Sequence, residues 1–326
     1  MKTVSLINMK GGVGKTTVAV NLADFLANRE SQRVLLVDVD PQFNATQCLL
    51  QGDQYVDYIE KGGYTIVDIF DNSTRITNSI VDGTARHEPV KFSEIKPVKS
   101  SRGFDFIPGS LQLFKLEMSA GSGRENRLSH YLKTLENEYD YVIIDSPPTP
   151  SVWMVSALIA SDYYLIPVKP DPISMTGIDL LQGIIRERSE NYGFRCKCCG
   201  IILTIVDTRS TLRKDAETFF STNSRWKGQL YAKSILKRAN IAKGQLNNQF
   251  IRDIDDSTLK ADFSLIVKEF IRRTETQKKK KDFERTMNFL EDLCWFLDSG
   301  KKMITRRLQN FLKTLNIPLP TPLHYS

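Results

Sequence analysis

Residues 8–17 read "NMKGGVGKTT", a glycine-rich stretch that ends in the Gly-Lys-Thr of a phosphate-binding loop. The usual pattern of such loops is G-x-x-x-x-G-K-[ST], and here Met9 stands where the first glycine is expected. The stretch also carries a second lysine, Lys10, at its entrance. One lysine is enough to hold the phosphates of a single bound nucleotide, so Lys10 needs an explanation of its own.

The sequence on both sides of the loop predicts a βαβ unit. Residues 2–8 are short, apolar and rich in β-branched side chains, which predicts a buried strand. From Thr16 to Asn28 apolar residues recur at helical spacing and predict an amphipathic helix. Residues 33–38, "RVLLVD", predict a second buried strand. The loop therefore lies at the amino end of a helix between two strands, where phosphate loops are found.

This position assigns a role to each residue of the loop. Glycines let the backbone approach a polyphosphate with its N–H groups pointing inward. Lys15 reaches the β- and γ-phosphates, and the Thr16 hydroxyl binds magnesium. The predicted cofactors are ATP and Mg²⁺, and the nucleotide-binding residues that the loop itself predicts are Gly11, Gly12, Val13, Gly14, Lys15, Thr16 and Thr17.

Two later stretches place carboxylates at strand ends. In "VDVDPQFNAT" the alternation along a strand directs Asp38 and Asp40 the same way. "YDYVIIDSPPTPS" contains a buried strand ending at Asp145, the pattern of an aspartate that holds magnesium, often through water. Strand-end carboxylates also cap helices, but three beside one phosphate loop favour a metal site. We predict direct metal binding by Thr16, and binding through water by Asp38 and Asp145.

Composition is typical of an α/β enzyme. The chain has 326 residues, 41% hydrophobic and 25% charged, enough for one large domain plus an appendage. No apolar run approaches the ~18 residues that span a bilayer, and the chain enters a strand directly, so no membrane span or secretory signal is expected. Five cysteines without disulfide-framework spacing favour a reducing cytosol. Cys196, Cys198 and Cys199 cluster without a fourth ligand nearby, which favours thiols over zinc.

The pattern along the chain predicts an α/β fold with a doubly wound, mostly parallel sheet. Near-continuous apolar runs indicate strands covered on both faces, and helical patterns mostly separate them. Residues 52–103 are polar and weakly periodic, which predicts a helical excursion with a long loop. No internal repeat is present, which excludes a tandem two-ATPase architecture. The predicted strands are residues 2–8, 33–38, 104–107, 141–145, 163–168, 200–206 and 230–235.

Charge divides the chain into two predicted parts. Residues 272–326 hold 12 Lys and Arg against 6 Asp and Glu, a net +6 of the formal +7. Residues 1–271 are therefore nearly neutral and form the predicted ATPase domain. Residues 272–326 form a predicted basic, helical C-terminal extension, and their densest charge, Lys278–Lys281, is typical of a solvated linker.

The segments "KGGVGKTT", "LLVDVDPQFNAT" and "YDYVIIDSPP", in this order, resemble the ParA/MinD family of deviant Walker-A P-loop ATPases. The motif "DPQ-x-NAT" is similar to that of the ParA branch. The resemblance covers most of residues 1 to about 270. It implies that Lys10 crosses a dimer interface to the phosphates of the partner's ATP. Two lysines then imply two nucleotides between two subunits. It also implies that Asp40 positions the attacking water, so that the catalytic residues are Lys10, Lys15 and Asp40.

The same resemblance implies a function and its partners. It predicts an ATP-bound homodimer that binds DNA nonspecifically and positions DNA or another cargo, in the cytoplasm and associated with the nucleoid. Hydrolysis is expected to be slow until a ParB-like or adaptor protein stimulates it. Arg209 and Arg238 match family positions on the DNA-facing side of the dimer. The predicted DNA-binding residues are Arg209, Arg213, Lys237 and Arg238.

Two other classes compete with this prediction. One is a MinD-like ATPase anchored to a membrane by a basic amphipathic helix within residues 302–315. The motif "DPQFNAT" argues against a MinD-like protein, and membrane binding is not expected. The other is a relative of the nitrogenase iron protein, which we set aside because no cysteine lies between Cys48 and Cys196. The chain begins without a helix-turn-helix extension, so operator-specific autorepression is not expected.

Overall fold

The structure, a computed structural model, describes residues 1–72, 75–79, 83–87, 89–118, 123–245 and 247–275. The chain divides into one unit from Met1 to Arg273 and a second from Thr274 to Ser326. The predicted C-terminal extension lies, beyond residue 275, outside the described residues, as does the basic run Lys278–Lys281. The predicted domain boundary after residue 271 stays a prediction.

Strands and helices alternate along most of the first unit. They are β1 (Lys2–Leu6), α1 (Lys15–Arg29), β2 (Val34–Asp38), α2 (Asn44–Gln47), α3 (Gly52–Glu60), α4 (Ile66–Phe70), β3 (Arg75–Ser79), β4 (Gly83–His87), β5 (Val98–Lys99), β6 (Asp105–Ile107), α5 (Gln112–Met118), α6 (Arg127–Thr134), β7 (Tyr141–Asp145), α7 (Val152–Ile159), β8 (Tyr163–Val168), α8 (Pro172–Tyr192), β9 (Lys197–Leu203), α9 (Leu212–Thr222), α10 (Ala239–Gln245) and α11 (257–275).

Seven strands form one sheet in the order β5-β6-β2-β7-β1-β8-β9. All neighbours pair in parallel except β5, which runs antiparallel to β6 at the edge. The chain winds outward from β1 in both directions, as in a doubly wound sheet. The predicted α/β fold with a doubly wound, mostly parallel sheet is therefore confirmed.

Helices cover both faces of the sheet, and alternate residues of each strand point to opposite faces. Leu36 and Ile143 pack on one face with α1 and α11. Val37 and Ile144, one residue further along, pack on the other face with α6 and α7. A third cluster joins β8 and β9 to α8 and α9. This double coverage explains why the central strands are almost continuously apolar in sequence.

The predicted strand at residues 200–206 is displaced, since β9 spans Lys197–Leu203. The ladder stops at Leu203 because the next residues turn toward the phosphate loop. The Thr204 hydroxyl donates to the Val13 carbonyl at 2.6 Å, and Ile205 has a φ of +53°. A left-handed residue of this kind cannot continue a strand.

The predicted strand at residues 230–235 is wrong. Only two isolated bridges form, Leu230 with Ile201 of β9 and Leu236 with Val206 beyond it. Between them the Ile235 N–H donates to the Leu203 carbonyl at 2.8 Å, but the pairing does not continue as a ladder. The Ala232 N–H points away from β9 and donates to the Glu269 carboxylate of α11 at 3.0 Å.

Residues 52–103 contain more strand than predicted. The helical part of the prediction corresponds to α3 and α4, but β3 and β4 form an antiparallel hairpin where a loop was expected. The edge strand β5 was missed because it is only two residues long.

A buried ion-pair cluster fixes the back of α1. Asp24 is fully buried and accepts hydrogen bonds from Arg102, before β6, and from Arg252, after α10, at 3.0 and 2.9 Å. Arg102 also pairs with Asp253 at 2.8 Å. Since a buried carboxylate is costly unless it is paired, this cluster ties two remote segments to the helix that follows the phosphate loop.

We expect Asp24→Asn to lower the free energy of unfolding by about 2–4 kcal/mol, because two guanidinium groups lose their buried counter-charge. The measurement is urea denaturation followed by circular dichroism. The control is Asp140→Asn, which removes an exposed ion pair with Arg33 and should cost about 1 kcal/mol or less. Equal losses in the two variants would contradict a special role for the buried cluster.

Candidate nucleotide-binding site

Strand register brings the candidate residues to one edge of the sheet. In the parallel pairing, Leu6 of β1 lies opposite Asp145 of β7, and Asp38 of β2 lies opposite Asp145 on its other side. The phosphate loop follows β1 at the same edge. The carboxyl ends of three neighbouring strands therefore converge where ligands bind in open α/β sheets.

The phosphate loop depends on two glycines with positive φ. Gly12 and Gly14 have φ of +70° and +82°, a conformation that other residues rarely adopt. Gly14 is also the N-cap of α1, and it offers no side-chain cap. The first N–H groups of α1 thus remain free to bind an anion at the positive end of the helix dipole.

Lys15 is buried at the base of this loop. Its Nζ donates to the Asn8 carbonyl at 3.0 Å, and only 6% of the residue is exposed. Burial lowers the pKa of Lys15, while the nearby charges of Asp145 and Asp40 partly restore it. A desolvated cation held in this way interacts strongly with phosphate oxygens, because little solvent screens it.

Thr16 and Asp145 form the predicted metal pair. The Thr16 hydroxyl donates to Asp145 Oδ2 at 2.7 Å, while the buried Oδ1 of Asp145 has no hydrogen-bond partner. Burial raises the pKa of Asp145 to about 7, although the hydrogen bond from Thr16 opposes the shift. A buried carboxylate oxygen without a partner beside a hydroxyl fits a hydrated Mg²⁺ ion, which binds through few protein ligands and keeps several waters.

Asp38 is held by its own chain. Its Oδ2 accepts the N–H and the hydroxyl of Thr46, both at 2.8 Å, and the Thr46 hydroxyl in turn accepts the Gly109 N–H at 2.7 Å. Burial, followed by the charge of Asp145, raises the pKa of Asp38 well above its usual value. The predicted role of Asp38 as a water-mediated metal ligand stays a prediction, and the observed contacts show that it also orders the segment after β2.

Asp40 lines the cleft in front of the loop. Its Oδ1 accepts the Gln42 N–H at 2.9 Å, and 6% of the residue is exposed. Burial raises the pKa of Asp40, while the charge of Lys15 opposes that shift. Asp40 thus lies beside the phosphate loop, and its predicted water-positioning role stays a prediction.

Lys10 is turned away from the cleft. Its Nζ lies 2.8 Å from both carboxylate oxygens of Asp171, the N-cap residue of α8. Lys10 does not line the cleft that the other loop residues enclose. The two lysines of the loop therefore have different surroundings, with Lys15 buried at the loop and Lys10 paired outside it.

Two adjoining cavities flank the loop. The cleft at the phosphate end has a volume of about 470 Å³ and is lined by the loop and Asp40. The second, of about 290 Å³, is mainly apolar and shares Gly14, Ala242 and Gln245 with the first. The Thr17 hydroxyl donates to Gln245 Oε1 at 3.1 Å between them. A cleft lined by the phosphate loop and Lys15 can take a polyphosphate, and the adjoining apolar cavity can take an aromatic base.

Several site residues were missed from the sequence. They lie after β9 or on α10 and α8, far from the loop in the chain: Asp171, Thr204, Ile205 and Gln245. The one usable signal was the rule that ligands meet the carboxyl ends of strands, which points to the residues after β9. Gln245 and Asp171 carry no local signal, since only the packing of their helices brings them to the loop.

The four predicted DNA-binding residues lie on the segments after β9. Three are paired within the chain, Arg209 with Asp207, Arg213 with Glu217 and Arg238 with Asp256. Lys237 is exposed and forms no ion pair with any described residue. Lys237, Arg213 and Lys169 line one small cavity of about 150 Å³. The structure therefore brings part of the predicted cationic set together.

The cysteine cluster shows no metal geometry. Cys199 is buried, and Cys196 and Cys198 are half-buried, all three with free thiols. Across the described residues, no group of three or more His, Cys, Asp or Glu side chains is arranged to hold a metal ion. Burial raises the pKa of Cys198 to about 11, which keeps its thiol protonated.

No helix within the described part of the chain is both long and apolar enough to cross a membrane. The membrane-anchored alternative depends on residues 302–315, which lie outside the described residues.

The phosphate loop, its buried lysine and the carboxylates at neighbouring strand ends define a P-loop nucleotide hydrolase. A family described as "AAA domain" (AAA_31) matches residues 1–194. The sporulation initiation inhibitor protein Soj of Bacillus subtilis is 34% identical over 213 residues, covering 65% of this chain and 75% of Soj. The chromosome partitioning protein ParA of Myxococcus xanthus is 33% identical over 214 residues, covering 65% of this chain and 67% of that protein.

A solved structure shares the fold. The crystal structure of a plasmid partition protein from Borrelia burgdorferi bound to AMPPNP has a TM-score of 0.63 and 24% identity, covering 83% of this chain and 98% of that one. At this identity the likeness concerns the fold. Together with the sequence matches, it shows that the chain belongs to the ParA branch of the ParA/MinD family of P-loop ATPases and is an ATP hydrolase.

Gly109 provides a test of the acidic edge. A Cβ at this position would lie 2.8 Å from Phe43 Cβ and 2.9 Å from Asp38 Cγ, so Gly109→Ala must displace Phe43, Asp38 or its own backbone. We expect ATP turnover to fall about 10- to 100-fold, because small displacements at a reaction centre are costly. The control is Gly183→Ala in α8, where a Cβ meets open space. Full turnover in Gly109→Ala would show that the close packing around Asp38 is not needed for hydrolysis.

Proposed function

We propose that this chain is a ParA-like positioning ATPase that works as an ATP-bound homodimer. Two subunits enclose two nucleotides, and the dimer binds DNA nonspecifically in the cytoplasm, associated with the nucleoid. A ParB-like or adaptor protein stimulates hydrolysis, and hydrolysis separates the subunits. The cargo is DNA or another large assembly.

The different surroundings of the two lysines carry this proposal. Lys15 Nζ is buried and directed to the Asn8 carbonyl inside its own loop. Lys10 Nζ is held by Asp171 outside the cleft, and 36% of its side chain is exposed. Lys15 already faces the cleft of its own subunit, so Lys10 is available to bind a nucleotide on a second subunit. The family to which the chain belongs supports this role for Lys10.

Nucleotide binding follows from the loop and its two cavities. The N–H groups of the loop and Lys15 bind the phosphates, and the apolar cavity receives the base. The Borrelia protein, which shares the fold, was solved with AMPPNP bound, which supports nucleotide binding by this chain. Thr16 would bind Mg²⁺ directly, with Asp38 and Asp145 acting through water, and the ion would neutralise charge on the phosphates.

The chain's own groups perform the hydrolysis. Asp40 orients a water molecule toward the γ-phosphate, and its position beside the cleft suits that role. The loop N–H groups, Lys15 and the partner's Lys10 stabilise the charge that develops on the transferred group. Because Lys10 comes from the second subunit, association depends on the γ-phosphate, and hydrolysis becomes a signal to dissociate.

DNA binding requires several cations that face one way. The exposed Lys237 and the neighbouring Arg209, Arg213 and Arg238 supply such a set on each subunit. Their partners Asp207, Glu217 and Asp256 reduce the net charge of the set, so a single subunit should bind weakly. Dimerisation doubles the set and raises affinity through avidity.

The trans role of Lys10 can be tested against the cis role of Lys15. Lys15→Ala should weaken ATP binding at least about 10- to 100-fold, because it removes charged hydrogen bonds to phosphate. Lys10→Ala should bind ATP as the unmodified chain does but remain monomeric. The measurements are equilibrium nucleotide binding and size-exclusion chromatography with light scattering, in the presence of ATP and Mg²⁺.

The matched control for Lys10 is Lys61→Ala, which removes another exposed, ion-paired lysine, here the partner of Asp57. It should dimerise normally. Normal ATP-dependent dimerisation of Lys10→Ala would refute the trans role.

The DNA surface can be tested by salt titration of duplex binding. Replacing Arg209 and Arg238 by Gln should remove the ATP-dependent part of binding and reduce the salt dependence of affinity by about 1–2 released counterions per subunit. The control replaces Arg33 and Lys61 by Gln, because these two residues are also exposed and also form one ion pair each. It should bind DNA like the unmodified chain.

A third full-length variant replaces Lys278–Lys281 by Gln and should lose only binding that does not require ATP. If that variant abolishes all binding while the Arg209 and Arg238 variant binds normally, the DNA surface lies in the C-terminal extension instead.

A further inference from the structure

An ion pair holds Lys10 within its own subunit. Both carboxylate oxygens of Asp171 accept hydrogen bonds from Lys10 Nζ at 2.8 Å. The backbone of Lys10 is fixed as well, because its N–H donates to Asn8 Oδ1 at 2.9 Å. The position of the amine is thus set by a specific, bidentate contact rather than by solvent.

Asp171 is itself held rigidly. As the N-cap of α8 it accepts the Ser174 N–H at 2.9 Å on Oδ1 and the Ser174 hydroxyl at 3.0 Å on Oδ2. Partial burial alone would raise the pKa of Asp171, but the hydrogen bonds from Lys10 and Ser174 outweigh it and hold the pKa below its usual value. A rigid, charged carboxylate at a helix N-terminus is a well-defined partner for the lysine.

The same amine cannot bind Asp171 in this geometry and also reach phosphates on a second subunit. Formation of the ATP dimer must therefore break this ion pair in both subunits. The free energy of the pair counts against dimerisation twice, since each dimer contains two such lysines. The Lys10 side chain can leave Asp171 by rotation about its own bonds, while the Lys10 backbone stays bound to Asn8.

We propose that Asp171 is a positioning residue that retains Lys10 in its own subunit and thereby sets the concentration of ATP-bound protein at which dimers form. This inference rests on the trans role proposed for Lys10. A free subunit is held with its lysine withdrawn, and only a partner with bound phosphates offers the amine a better site. Premature association without the correct nucleotide is thus disfavoured.

The experiment uses Asp171→Asn in the full-length chain. Asparagine keeps an oxygen that accepts the Ser174 N–H and so preserves the helix cap, but it removes the charge that holds Lys10. Asp171→Ala removes the cap as well, so a comparison of the two variants separates the two functions. The matched control is Asp179→Asn, which makes the same substitution on the same helix at the exposed ion pair with Arg225.

The first measurement is the dissociation constant of the dimer with ATP and Mg²⁺, by analytical ultracentrifugation. A partly exposed ion pair shifts an equilibrium about two- to fivefold, so two pairs per dimer should make Asp171→Asn associate about 4- to 25-fold more tightly. Asp179→Asn should associate like the unmodified chain. ATP affinity of the monomer is measured in parallel, so that altered nucleotide binding is not mistaken for altered association.

The second measurement needs no dimer. In the absence of nucleotide, the melting temperatures of Lys10→Gln, Asp171→Asn and the double variant form a cycle. Coupling predicts that the double variant is shifted by less than the sum of the two single shifts. This readout tests the ion pair itself, independently of the proposed function.

The outcomes are distinguishable. Tighter association of Asp171→Asn together with coupling in the cycle supports the inference. Unchanged or weaker association of Asp171→Asn, when the unmodified chain dimerises with ATP, overturns it and leaves the proposed function standing. If the unmodified chain forms no ATP-dependent dimer, the proposed function fails, and the role given to Asp171 fails with it.

Discussion

The parallel pairing of β1, β7 and β2 confines one lysine and three carboxylates to a single buried edge of the sheet, and the cost of burying those charges governs the rest of the site. Each group is held by its own chain, Lys15 by the Asn8 carbonyl and Asp145 by the Thr16 hydroxyl. One oxygen of Asp145 remains without a partner. Such a site is preorganised for a phosphate and a hydrated cation, because the protein has already met most of the desolvation cost.

That edge is kept in place from behind. The helix α1 carries the loop at one end, while Asp24 within it is clamped by arginines from two distant segments. Beside the strand-end carboxylates, the Thr46 hydroxyl joins Asp38 to the Gly109 N–H at the start of the loop that follows β6. The loop backbone can therefore stay open around its ligand without support from side-chain caps, since its flanking elements are fixed by contacts elsewhere.

Lys10 and Lys15 are held by different kinds of contact. Lys15 is buried and bonded to the backbone, whereas Lys10 is half-exposed and held by an ion pair. Because exposed ion pairs contribute little free energy, the Lys10 amine can leave its partner at a lower cost than Lys15 can leave its buried site. A ligand would then need only a modest difference in affinity to select another position of Lys10.

The sequence by itself determined the phosphate loop, the strand-end aspartates and the parallel sheet, because these follow from short spacings and from near-continuous apolar strands, and the resemblance of three motifs indicated the family. It failed where the deciding contact joins distant segments. Residues 230–235 touch β9 only through an isolated bridge at Leu230 and the Ile235 N–H, while the Ala232 N–H binds Glu269 of the distant helix α11. Asp171 looks like an ordinary helix cap, and Gln245 like a surface amide, until α8 and α10 are placed against the loop. Only the tertiary structure decided these points, since hydrogen bonds between residues far apart in the chain leave no periodic signal in it.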